Sequence, residues 1–154
     1  MVCVAVTGGL ACGKSTFMQY IKSNYSFPII DADVIVRELY NNDKGLQQVF
    51  AGHFGAEVLH QAHGIDTKFL RERIFSVAKD RAFVEAQVHP LVRKKVTEFR
   101  DAHLDQYAIV IIPLVYETDS SQNYDAVVAI DLPMFLQVER AKLRGMPSLL
   151  IEQI

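Results

Sequence analysis

The stretch Val2-Cys3-Val4-Ala5-Val6-Thr7-Gly8-Gly9-Leu10-Ala11-Cys12-Gly13-Lys14-Ser15-Thr16 decides the fold. Residues 2–6 are apolar and rich in β-branched side chains, which predicts a short buried strand. The glycine-rich segment 7–15 breaks that strand. A helix is expected from about Lys14 to Ser23, with Phe17, Met18 and Ile21 able to share one face. Residues 8–15 fit G-x-x-x-x-G-K-[ST] at every fixed position, with a strand before and a helix after. Glycines let such a loop wrap closely and point N–H groups at phosphate oxygens. The helix N-terminus adds favourable partial charge. Lys14 is expected at the β- and γ-phosphates and Ser15 in a magnesium shell. Gly9, Ala11, Cys12, Gly13 and Thr16 complete the expected nucleotide-binding set.

The remaining elements extend the same architecture. Pro28-Ile29-Ile30 reads as a second strand, closed by Asp31-Ala32-Asp33, and Val34 to Tyr40 reads as a helix. From Leu46 to His103 the pattern is mainly helical, punctuated by Gly55 and Gly64, with Pro90 opening or kinking a helix. Two strands are expected late, at 108–112 and 126–130. Pro133 opens a last helix carrying Arg140 and Arg144, which Gly145-Met146-Pro147 interrupts. Strand, helix, strand, helical stretch, strand, strand, helix predicts an α/β protein with a mostly parallel sheet. Right-handed crossovers gather its strand C-termini at one ligand-binding edge.

Composition limits the function. The 154 residues suit one domain, and the apolar fraction is 50% against 22% charged. A net charge of −2 argues against a nucleic-acid-coating surface. The best apolar run, 108–115, is too short for a membrane span and contains Pro113. Two cysteines make neither a disulfide framework nor a zinc site. With no signal peptide visible, the chain reads as soluble, cytoplasmic and reduced. No N-K-x-D guanine motif occurs.

Asp31 and Asp33 follow the second strand, near the loop's edge of the sheet. A carboxylate there suits proton acceptance from an attacking hydroxyl or orientation of magnesium. Each also has a structural reading, Asp31 as a helix cap and Asp33 as a partner for Arg37. Spacing does not decide between them. His89, Arg140, Arg144 and Glu117 likewise have structural readings as a helix-end hydrogen-bond partner, surface charges and a cap. Arg71, Arg73 and Arg93 read as a solvated helix face.

Five blocks carry a family resemblance: T-G-G-L-A-C-G-K-S-T (7–16), I-D-A-D-V-I-V-R (30–37), L-R-E-R-I-F (70–75), V-H-P-L-V-R (88–93) and P-L-V-Y-E (113–117). In that order they resemble dephospho-CoA kinase, from residue 2 to about 144. The resemblance implies a three-layer P-loop kinase fold, with a helical acceptor-binding insertion at about 34–104 and a lid at about 137–150. It implies transfer of the ATP γ-phosphoryl group to the ribose 3′-hydroxyl of dephospho-CoA, with Mg2+. Lys14, Asp33 and Arg140 are then catalytic, Asp33 being the base. Arg144 joins the ATP-binding set, and Arg37, His89, Pro113 and Glu117 join Asp33 around the acceptor. The strand at 109–112 ends without an aspartate, so Asp33 or Glu117 through water is expected to assist Ser15 at the metal. The resemblance also implies a further strand and helix after residue 154. The strand at 126–130 is therefore expected as a sheet edge open to self-association. Two alternatives stand beside this reading: a kinase for another small acceptor, and a nucleotide-binding protein with little turnover.

Overall fold

The computed structural model describes residues 2–60, 64–104, 107–112 and 121–152. The chain divides into two compact units, one of residues 1–31 and 100–154 and one of residues 32–99.

The first unit holds the sheet. Strand β1 is Val2–Thr7, and helix α1, Lys14–Asn24, returns to strand β2, Ile29–Asp31. Six further elements belong to the second unit and are described below. Strand β5 is Tyr107–Ile111 and strand β6 is Ala126–Ala129. The spatial order is β2-β5-β1-β6 and every pairing is parallel. Register puts Val6 beside Ile111 and Ile111 beside Asp31, so three strands end together at one edge. The fold is thus α/β with a parallel sheet, as expected. Cys3, Ala5 and Val6 are fully buried, the signature of a central strand covered on both faces. Val6, Met18, Ile109 and Ile111 form a core into which Phe17, Ile21, Ile29 and Ile130 pack. Asp125 clamps the other end of the sheet. Its Oδ2 accepts the Cys3 N–H at 2.7 Å, and its own N–H donates to the Cys3 carbonyl at 2.9 Å. Burial pushes the Cys3 thiol up, opposed by the nearby Arg100 guanidinium, so it stays a protonated packing group.

The second unit is mainly helical. Helix α2 is Ala32–Asn42 and α3 is Lys44–Phe54. Strands β3, Leu59–His60, and β4, Gly64–Ile65, form a small antiparallel ribbon that periodicity did not predict. Helix α4 is Thr67–Ser76 and α5 is Ala78–Asp101, whose last residues belong to the first unit. Pro90 lies inside α5 and opens no new helix. Val84, Val88 and Val96 are buried on one side of α5, and that packing offsets the backbone bond proline removes. Asp43 and Asp66 cap α3 and α4 through the N–H groups of Leu46 and Phe69. Phe50 is wholly buried among the rings of Tyr40, Phe54 and Phe83, with centroids 5.8–6.0 Å away. Arg73 is not part of a merely solvated face: its Nη2 stands 3.0 Å from Oδ2 of buried Asp80. Asp80 Oδ1 lies 3.2 Å from His53 Nε2, and the His53 ring stacks on Phe83. Among the described residues no helix is long and apolar enough to cross a membrane.

Candidate active site

Helix α6, Met134–Leu143, follows β6 within the first unit, and the short α7, Ser148–Ile151, comes after it. Pro133 is the N-cap residue of α6, and its carbonyl accepts the N–H groups of Leu136 at 2.9 Å and Gln137 at 3.1 Å. At the other end, Gly145 takes a left-handed φ of 66°. Its N–H donates to the Lys142 carbonyl at 2.9 Å, and the Met146 N–H donates to the Ala141 carbonyl at 3.1 Å. This double bond pattern stops the helix at Arg144, which is its C-cap.

The loop between β1 and α1 is built from backbone. Gly8 sits at φ 149° with its Cα face against the Ile130 carbonyl at the end of β6. Gly13 N-caps α1 at φ 103° and contributes no side-chain cap. The first-turn N–H groups of α1 therefore have no capping side chain from that residue, the arrangement that receives phosphate oxygens. Ala11 also takes a positive φ, 59°, an uncommon conformation outside glycine that bends the loop. The Lys14 ammonium folds over the loop, donating to the carbonyls of Gly8 at 2.5 Å and Gly9 at 2.8 Å. Ser15 and Thr16 are exposed in the first turn of α1, while Ala11 and Cys12 are buried.

Between this loop and α6 runs a cleft of about 430 Å3, lined by Cys12, Gly13, Thr16, Phe17, Arg140, Leu143 and Arg144. Among the described residues the lining carries two guanidinium groups and no carboxylate, so it favours a polyanion. A Cβ on Gly13 would stand 3.5 Å from Arg140 Nη1, so guanidinium and loop are neighbours. The structure thus brings Cys12, Gly13, Thr16, Arg140 and Arg144 to one cleft. Phe17 and Leu143 join them and were missed by sequence reasoning. Helical spacing was their signal: Phe17 is four residues after Gly13, and Leu143 three after Arg140.

The other expected residues lie elsewhere in the chain. Asp33 is exposed in the first turn of α2, two residues beyond the end of β2, and Arg37 is exposed one turn further on. His89 is exposed on α5 beside Pro90. Asp33, Arg37 and His89 belong to the second unit. Pro113 and Glu117 lie outside the described residues.

A parallel sheet, a glycine-rich loop at the C-terminal end of its inner strand and a lysine at the following helix define a P-loop kinase fold. The dephospho-CoA kinase family model matches residues 2–148. The dephospho-CoA kinase of Vibrio parahaemolyticus is 32% identical over 138 residues, covering 89% of this chain and 67% of that protein. That of Acinetobacter baylyi is 32% identical over all of this chain and 77% of its own length. The crystal structure of TT1252 from Thermus thermophilus superposes with a TM-score of 0.81 at 23% identity, covering 99% of this chain and 77% of that one. The chain belongs to the dephospho-CoA kinase family, phosphotransferases that catalyse the final step of coenzyme A biosynthesis.

Proposed function

We propose that the chain transfers the γ-phosphoryl group of ATP to the ribose 3′-hydroxyl of dephospho-CoA, with its loop, α6 and the start of α2 as the working parts. One observation carries this reading. Arg140 and Arg144 line a cleft with Gly13 and Thr16 at the N-terminus of α1, and none of its described lining residues is acidic. In this reading the loop N–H groups meet the phosphate oxygens. Lys14 exchanges the Gly8 and Gly9 carbonyls for the β- and γ-phosphates. Arg140 and Arg144 compensate the charge that spreads over the transferred group. Asp33 accepts the 3′-hydroxyl proton as that oxygen bonds to the γ-phosphorus. The bond to the bridging oxygen breaks and ADP leaves.

Magnesium fits the residues present. Ser15 offers an exposed hard oxygen in the first turn of α1, next to the loop. Among the described residues no group of three or more His, Cys, Asp or Glu side chains converges. In this reading phosphates and water supply most of the rest of the magnesium shell. Magnesium would neutralise phosphate charge there.

The second unit is the acceptor-binding insertion in this reading, with Arg37 and His89 contacting dephospho-CoA and α6–α7 acting as the lid. Pro113 and Glu117 border the acceptor. The setting is the cytoplasm, without a nucleic-acid partner. Among the described residues β6 is an edge of the sheet, which supports self-pairing. A light-scattering mass of one chain contradicts that part alone.

Asp33→Asn tests the base assignment. It keeps the shape and removes the charge, so kcat is expected to fall by about 10²–10⁴ with the Kd for Mg-ADP unchanged. Weakened nucleotide binding with normal turnover contradicts the assignment.

A further inference from the structure

Gln137 stands on α6 one turn before Arg140, and neither the loop motif nor the family blocks single it out. Its carboxamide is committed in two directions. Nε2 donates to the Leu132 carbonyl at 2.5 Å, in the connection from β6 to α6. That leaves Oε1 facing the loop. A Cβ on Gly9 would stand 3.0 Å from Oε1 and 3.2 Å from Cys12 Sγ, so the amide oxygen packs directly on Gly9. Gly9 is one of the two residues whose carbonyls accept the Lys14 ammonium. Arg140 and Arg144 follow Gln137 by three and seven residues, on the same helical face, and both line the cleft.

We propose that Gln137 is a positioning residue for phosphoryl transfer: its carboxamide locks the start of α6 onto Gly9 and thereby holds Arg140 beside the loop. An apolar contact at this point would fix a distance. The carboxamide also fixes the rotation of the helix, because one end is tied to backbone ahead of α6 and the other rests on the loop. Arg140 lies one turn on, so a small rotation of α6 about its axis carries the guanidinium away from Gly13. Gln137 touches no reacting group and acts through Arg140. The inference rests on the reading that Arg140 meets the nucleotide phosphates.

A double-mutant cycle tests it. Wild type, Gln137→Ala, Arg140→Ala and the double variant are compared in kcat, in KM for dephospho-CoA and in the Kd for Mg-ADP. Gln137→Met, which keeps the length and loses the amide, is measured alongside, and melting temperatures check the fold. Gln137→Ala and Gln137→Met are expected to lower kcat about 10- to 100-fold with KM for dephospho-CoA unchanged, as a misplaced catalytic group does. In the Arg140→Ala background the same substitution is expected to change nothing further. Full kcat in Gln137→Met, or an equal loss in both backgrounds, overturns the inference while leaving the kinase reading intact. If wild type binds Mg-ADP but forms no coenzyme A, the kinase reading fails by itself. The cycle is then read in the Kd for Mg-ADP, where additive losses or no loss overturn the role of Gln137. Absence of nucleotide binding overturns both.

Discussion

Gly8→Ala links the sheet to the loop in one substitution. Gly8 closes β1 against the end of β6, where the Ile130 N–H donates to the Thr7 carbonyl at 2.9 Å. An added methyl would overlap the Ile130 carbonyl oxygen outright and stand 3.2 Å from its carbonyl carbon. The obstacle is backbone, so it cannot swing aside. Either β6 moves out or Gly8 leaves φ 149°. The first course costs the Ile130–Thr7 hydrogen bond, about 1 kcal/mol. Displacing packed backbone adds about 1–3 kcal/mol, and an alanine held at a glycine-only φ about 1–3 kcal/mol. Together about 3–7 kcal/mol is expected, a large share of a domain's stability. At this chain length the midpoint, about 5 kcal/mol, lowers the melting temperature by roughly 10–20 °C. Because the Gly8 carbonyl also accepts Lys14, Mg-ADP affinity should fall with it. Thermal unfolding by circular dichroism and calorimetric titration with Mg-ADP read both quantities. A melting temperature within about 2 °C of wild type, with unchanged affinity, refutes the reasoning.

Other substitutions probe other parts of the account. Gly52 lies in α3 with nothing within 4 Å of an added Cβ, so Gly52→Ala should stabilise by about 0.5–1 kcal/mol; a lower urea midpoint contradicts this. Phe50→Ala empties the centre of the aromatic cluster and should cost about 3–5 kcal/mol by denaturant unfolding, with a loss under 1 kcal/mol contradicting that role. Burial pushes the Tyr40 hydroxyl up to about 12, above the ordinary value near 10. Stability is therefore intact below pH 10 and falls as pH rises from 10 towards 12, because the unfolded chain releases that proton first. Tyr40→Phe keeps the ring against Phe50 and should flatten the decline in urea midpoint between pH 9 and 11; parallel declines contradict the burial argument.

The sheet was legible because its strands are short apolar runs bounded by glycine, proline and aspartate. The run 2–6 and the glycine-rich 7–15 could be read only as strand, loop and helix. The ribbon of Leu59–His60 and Gly64–Ile65 was not legible, since strands of two residues carry no alternation for a pattern to detect. Pro90 was read as opening or kinking a helix because proline usually acts so alone. It lies inside α5, where the buried Val84, Val88 and Val96 hold one helix together across it. The loop residues announced themselves by fixed spacing, and Arg140 and Arg144 by resemblance. Gln137 did not, because its importance comes from where β6 delivers α6, which is a property of the sheet. Arg73 looked solvated for the same reason: its partner Asp80 is close in space and belongs to the next helix.

The central claim is the transfer itself. The most direct measurement mixes the 154-residue protein with magnesium-ATP and dephospho-CoA and follows coenzyme A by mass spectrometry, with Lys14→Ala in parallel. Coenzyme A formed by the unmutated protein and lost with Lys14→Ala is the predicted result. ATP binding without coenzyme A, or an equal yield from Lys14→Ala, contradicts the account.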